Sequence, residues 1–166
     1  RKIVAGTPTI IARSGVGVAV RQGTPKPDIS TPEKLKQALL AANKVAMSRP
    51  GGGQSGIVIN RAFEMLGIVE AMKPKAIFGT GGPDGLSGAF VARGEADLGV
   101  QQISELMAVP GIEIVGPLPG NLQVMTVFEA ALSTSAKNNA GAEALMKYLA
   151  TPAARAVMKT KGLEPG

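Results

Sequence analysis

One unit occurs twice in this chain: a short strand, a Gly-rich turn without a lysine, and a helix. Residues 45–48 run into Arg49-Pro50-Gly51-Gly52-Gly53-Gln54-Ser55-Gly56 and a helix to about Leu66. Residues 76–78 run into Gly79-Thr80-Gly81-Gly82-Pro83-Asp84-Gly85 and a shorter helix over 86–93. Strands alternating with helices at this spacing point to an α/β fold, a mostly parallel sheet with helices on both faces. Such sheets take ligands at the carboxyl ends of their strands, where both turns fall. The turns present backbone N–H groups at helix starts, where aligned peptide dipoles favour anions.

The other segments fit the same architecture. Val16-Gly17-Val18-Ala19-Val20 is a short, β-branched, buried strand. Thr31, Pro32 and Glu33 supply a capping hydroxyl, a proline at the first helical position and an acid in the first turn. Leu35, Ala38, Leu39 and Ala42 then form one apolar face, as do Ile59, Ala62, Phe63 and Leu66 in the next helix, which Gly67 ends. Leu98-Gly99-Val100 is a strand closing at Gln101-Gln102, and residues 112–115 are another. Gly116-Pro117-Leu118-Pro119-Gly120 marks a boundary, followed by an apolar strand over 124–132. Two helices follow: one with Ala142, Leu145, Met146 and Leu149 on a stripe, one opened by Thr151-Pro152 and carrying Ala153, Ala156 and Val157. Residues 1–13 read as a lead-in with a turn at Gly6-Thr7-Pro8.

Composition removes several function classes. Among 166 residues there is no histidine and no cysteine, so a Ser-His-Asp triad or a zinc site cannot be built from this chain. Neither a metal nor a cofactor is expected, and no catalysis. The charge is +6, from 18 Lys+Arg against 12 Asp+Glu, but the basic residues are scattered and only four Phe and one Tyr are available to stack on bases. Nucleic acid is therefore not an expected partner. No apolar run reaches the roughly 18 residues of a membrane span. The chain opens at Arg1 rather than Met, which reads as a processed product or a fragment.

The candidate binding residues lie on the two turns and the strand end beside them. The amides of Gly53, Gln54 and Ser55, with the Ser55 hydroxyl, form an anion cradle; the alternative is a plain turn with Ser55 as an N-cap. The turn lacks the lysine and spacing of a P-loop, and it is not a dinucleotide fingerprint. Asp84 is placed to cap the helix after the second turn. Gln101 and Gln102 point to opposite sides of their strand, so one of them can face a ligand. Arg93, Glu95 and Asp97 read as a solvated helix end.

Taken in order, residues 15–21, 26–29, 52–56, 91–102 and 116–119 resemble the periplasmic substrate-binding proteins of ABC importers, most of all the molybdate-binding branch. The resemblance covers about residues 14–166 and implies a type 2 periplasmic binding fold: two α/β lobes closing on a ligand, without catalysis. It implies that 14–122 are the second lobe, 1–13 a lead-in at the hinge, and 123–166 a hinge strand and helices returning to a first lobe missing here. The exposed stripes of those helices would then favour a homo-oligomer or a domain swap. Matched by position, ligand donors fall at Gly53, Gln54 and Ser55 and at Leu86 and Ser87. Gln102 stands where the family has a tyrosine, so the family's specificity does not carry over. The resemblance implies a small anionic ligand (an oxyanion such as molybdate, or a small organic acid), an ABC permease as partner, and a periplasmic or extracellular location. The same fold also serves as the effector domain of some transcription regulators.

Overall fold

Val16, Val18 and Val20 put three β-branched side chains on one face of a strand, with Gly17 and Ala19 on the other, and the fold is built around that asymmetry. In the computed structural model, which describes residues 2–80, 82–136 and 139–166, the chain divides into two units: Gly15–Met125, and Arg1–Ser14 with Thr126–Gly166. Gly81, in the second Gly-rich turn, lies outside the described residues. Strand β1 (Thr9–Ser14) belongs to the second of these units and β2 (Val16–Arg21) to the first.

Within Gly15–Met125 the elements follow as α1 (Pro32–Ala41), β3 (Val45–Met47), α2 (Gln54–Leu66), α3 (Val69–Met72), β4 (Ala76–Phe78), α4 (Ser87–Ala92), β5 (Leu98–Gln102), α5 (Ile103–Leu106) and β6 (Ile112–Pro117). The strands are ordered β4-β3-β5-β2-β6. β3 pairs in parallel with β4 and β5, whereas β2 pairs antiparallel with β5 and β6. Four of the five strands run the same way, as expected, but β2 runs against its two neighbours, so the sheet is mixed, with two parallel and two antiparallel pairings. Sequence periodicity carries no information on that direction, because a strand buried on both faces reads the same either way.

The two faces differ in thickness. Val18, Val45, Met47, Leu98 and Val100 meet Leu35, Leu39, Ile59, Phe63 and Met72 from the helical side in the main core. On the other face Ala46 packs with Val91 and Ala96 in a thinner layer. α4 can sit close there because β5 offers Gly99, where an added Cβ would lie 3.0 Å from the Val91 side chain. The stripe expected for α2 is buried throughout, and Gly67 ends that helix in the left-handed conformation at φ 66°.

Thr31 caps α1, its side chain accepting from the Lys34 N–H at 3.3 Å. Thr31→Ala is expected to lower stability by about 1 kcal/mol, read from urea unfolding. An unchanged midpoint would remove that hydroxyl from the account of the helix start.

In the other unit, β1 is the centre of a three-stranded antiparallel sheet between β7 (Thr126–Ala130) and β8 (Glu164–Pro165). Thr9 pairs with Ala130 and Arg13 with Glu164. The last five residues of the segment read as a lead-in therefore belong to a strand, whose partners lie at the far end of the sequence. Helices α6 (Asn139–Leu149) and α7 (Pro152–Thr160) complete the unit, the latter capped by Thr151. Ala154 and Met158 are buried, while Leu145, Tyr148 and Val157 are each more than half exposed (57%, 57% and 58%).

Candidate ligand-binding site

β3 ends at Met47, and the chain turns through Gly51 and Gly53, both at positive φ (72° and 113°), before α2 begins at Gln54. The turn is closed by the Gly52 N–H donating to the Arg49 carbonyl at 2.8 Å. The first amide bonded back along the helix is that of Ile57, to the Gly53 carbonyl at 3.2 Å. The amides of Gln54, Ser55 and Gly56 precede it and stay outside the helical ladder. Ser55 is not the cap: Gly53 holds that position and has no side chain to use. The Ser55 hydroxyl instead pairs with the Ser48 hydroxyl at 2.8 Å. Two hydroxyls joined by one bond keep one hydrogen to donate elsewhere.

The second turn folds beside the first. The Gly79 N–H donates to the Met47 carbonyl (3.1 Å), and the Thr80 N–H to the Gly85 carbonyl (3.2 Å). Asp84 does not cap α4 as anticipated. It lies in a 3-10 turn, Pro83–Gly85, and the residue before α4 is Leu86, which has no capping side chain. Arg93, Glu95 and Asp97 are exposed, as the sequence reading has them. Arg93 pairs with Glu95 at 2.6 Å, and an Asp97 oxygen accepts from the amides of Asn43 (2.6 Å) and Lys44 (3.1 Å).

The carboxyl end of β5 completes the site. Gln101 accepts from the Ser87 N–H at 2.8 Å, a buried bond that commits this amide to the protein. The Ser87 hydroxyl, 1% exposed, has no partner among the described residues. A buried hydroxyl left so costs about 1–3 kcal/mol, which a ligand acceptor would recover.

These elements enclose a recess of about 420 Å³ lined by Ser48, Arg49, Ser55, Ser87, Gln101 and Glu105, with Leu86 and several glycines between them. Of the residues picked from the sequence, Ser55, Leu86 and Ser87 line it. Gly53 and Gln54 do not, although Gly52 and Ser55 on either side do. Gln102 does not line it either: it is buried beside Gln101 and holds the position preceding α5. The residues alone left Gln101 and Gln102 open, the resemblance pointed to Gln102 as a ligand residue, and neither gave Arg49, Ser48 or Glu105 a role of its own. Arg49 stood inside the first Gly-rich turn; Glu105 carried no signal at all.

Charge in the recess is mixed. The Arg49 guanidinium lies over the Phe78 ring, 5.7 Å from its centroid, a contact worth about 0.5–1 kcal/mol at an exposed site. Glu105 is open to solvent. Desolvation nonetheless raises its carboxyl above the ordinary value, and a hydrogen bond from Gln101 opposes that shift. No group of three or more potential metal ligands occurs among the described residues. A second recess of similar size lies at the other ends of the strands, around Val20, Ala42 and Asp97. Its carboxylate, Asp97, is already satisfied by the backbone amides of Asn43 and Lys44.

Three comparisons bear on this geometry. A family model described as bacterial extracellular solute-binding protein matches residues 1–164. A Pseudomonas protein named aconitate isomerase is 41% identical over 156 residues, covering 93% of this chain and 57% of that protein. The molybdate-binding protein ModA of Escherichia coli (strain K12) is 28% identical over 155 residues, covering 93% of this chain and 59% of ModA. The solved periplasmic molybdate-binding protein of Azotobacter vinelandii superposes with a TM-score of 0.75 at 20% identity, covering 99% of this chain and 71% of that one. That last likeness concerns the fold alone. The chain thus spans somewhat over half the length of the curated relatives it matches. No helix among the described residues is long and apolar enough to cross a membrane.

Proposed function

We propose, since the chain belongs to the bacterial extracellular solute-binding protein family, that it binds a small organic acid with two or three carboxylates in the recess at the ends of β3, β4 and β5. The observation that carries this reading is the presence in one recess of the Arg49 guanidinium and the unpartnered, buried Ser87 hydroxyl. The uncommitted amide of Ser55, in the first turn of α2, lies beside them. These are donors without acceptors, which suits an anion. Arg49 pairs with one carboxylate; the Ser55 amide and the free hydrogen of the Ser48–Ser55 pair hold another. Gly53 gives the turn its shape, and Leu86 forms the apolar wall before Ser87. Gln101 takes the place expected for Gln102, fixing Ser87 through its amide.

A volume of about 420 Å³ is in the range of small-molecule sites, roughly 300–1,000 Å³. That favours an organic acid over a tetrahedral oxyanion, as does the higher identity to the protein named for aconitate. A molybdate-like oxyanion is the second reading, favoured by the match to ModA. In either case the protein acts in the periplasm as the receptor of an importer and passes its ligand to a membrane permease. The two crossings of the chain between the units, after Ser14 and after Met125, serve as hinge segments. The ligand shifts the open and closed forms by its differential affinity for them.

Calorimetric titration of the full-length protein with aconitate, citrate, succinate, molybdate and sulfate tests the choice. Tight binding of a polycarboxylate with molybdate ignored is the expected result; the reverse selectivity overturns it in favour of the oxyanion. Ser55→Ala is expected to weaken binding about tenfold, the worth of one hydrogen bond to a charged group. Unchanged affinity would remove that hydroxyl from the site.

A further inference from the structure

One amide side chain takes the place of a strand where the chain passes out of the Gly15–Met125 unit. β6 ends at Pro117, opposite Gly17, and one further backbone bond runs from the Leu118 N–H to the Val16 carbonyl at 3.1 Å. Beyond it the Gln123 side chain takes over. Its Oε1 accepts from the Val16 N–H at 3.0 Å, and its Nε2 donates to the Val16 carbonyl at 2.7 Å. A carboxamide carries both the donor and the acceptor of a peptide unit, and here both are used on one residue.

The amide comes this close because residue 15 is glycine. A Cβ there would stand 2.5 Å from the Gln123 Nε2 and 2.9 Å from its Cδ, with the Met125 sulfur at 3.2 Å. Gly15 is not at positive φ, so the close approach and not the backbone conformation requires it. In the other unit the continuations of the same two segments pair through their backbones, Ser14 opposite Thr126. Each crossing is thus tied to the other within both units. Between the ties lie Gly15 on one crossing and Val124 and Met125 on the other.

We infer that Gln123 is the clasp of the hinge, a positioning residue that sets how freely the two crossings bend and so controls affinity without touching the ligand. The inference rests on the hinge segments proposed above and not on which anion is bound. Clasped, the two crossings bend together. Released, each bends by itself, and the ligand-free protein samples more arrangements. Closing on a ligand then gives up that added freedom, which weakens binding. The backbone freedom of one residue corresponds to about tenfold in affinity. Gln123 does not line the recess, so direct contact with the ligand does not account for such a loss.

The test reads hinge freedom without ligand. Residues 1–166 contain no cysteine, so Gln37→Cys in α1 and Lys159→Cys in α7, both exposed, give one spin-label position in each unit. Distances between the labels are measured by pulsed electron resonance in the full-length, ligand-free protein. Gln123→Met keeps the length of the side chain and removes both bonds. Its distance distribution is expected to be about twofold broader than the parent's, with urea unfolding to show that the variant is folded. Equal widths overturn the inference. Gln123→Glu gives a second reading on one protein. Ionised at about pH 8, it has no hydrogen for the Val16 carbonyl; protonated towards about pH 4.5, it regains one. The distribution should narrow as the pH falls while the parent's does not change, and a width indifferent to pH overturns the clasp. Calorimetry with aconitate should show binding about tenfold weaker in Gln123→Met. Parental affinity in that variant overturns the control of binding. A parent protein that binds no polycarboxylate overturns the ligand reading alone, because the widths measure the clasp with no ligand present.

Discussion

Gly56→Ala is expected to weaken ligand binding about a hundredfold, the effect of roughly 1 Å of misplacement at a preorganised site. Gly56 is the third residue of α2, in ordinary helical conformation, so the constraint is not its backbone freedom. It is the Arg49 carbonyl, folded back so closely that a Cβ on Gly56 would stand 2.1 Å from its oxygen and 3.1 Å from its carbon. Backbone has no alternative rotamer, so either the turn or the start of α2 must shift. Both carry the site: the turn holds Arg49, and the helix start holds the Ser55 amide and hydroxyl. Overpacking should also lower stability by about 1–3 kcal/mol. Calorimetry and urea unfolding of the same variant separate the two effects. Parental affinity would show that the Arg49 carbonyl swings aside freely and that the turn is no rigid frame.

Leu39→Ala is expected to destabilise the Gly15–Met125 unit by about 2–5 kcal/mol. Leu39 is 1% exposed and, with Leu35, one of the two buried residues of α1. Truncation removes its transfer free energy and leaves a cavity against the core, which the helix cannot close without moving. Leu40, one position on, is 37% exposed, and its replacement by alanine should change stability by less than about 0.5 kcal/mol. Urea midpoints of the two variants compare them directly. Equal losses would mean that α1 is held by its ends rather than by this face.

Features whose cause is local could be read from the sequence. Thr31-Pro32 and Thr151-Pro152 start helices where they were expected, because a hydroxyl and a fixed φ act on the next few residues only. The Gly-rich turns were legible for the same reason, and so was the strand-turn-helix order. Features decided by distant partners were not. Thr9–Ser14 looks like a lead-in until Thr126–Ala130 lies beside it. The direction of β2 is set by its neighbours and not by its own residues.

The glutamines show where the limit lay. Leu98 and Val100 face the main core, so Gly99 and Gln101 share the opposite face of β5, beneath α4. Parity alone therefore puts Gln101 with the start of α4, once it is known on which side α4 packs. Glu105 follows on a helix of four residues, Ile103–Leu106, too short to leave a pattern. Its place in the recess comes from the turn of chain after β5 and could not have been found from spacing.

The position of β2 in the sheet also governs when the fold can be completed. It is the first strand of its unit to leave the ribosome, yet Val18 pairs with Val100 on one side and with Gly116 on the other. Until those residues exist, its amides and its valines have no native partners. The parallel strands β3 and β4 can associate earlier, but the sheet cannot close around them. Such long-range closure slows folding relative to chains built mostly from local contacts. Throughout that time an apolar strand edge is open to other chains. A newly made chain thus remains unfolded, and needs shielding from its neighbours, at least until β6 has been synthesised.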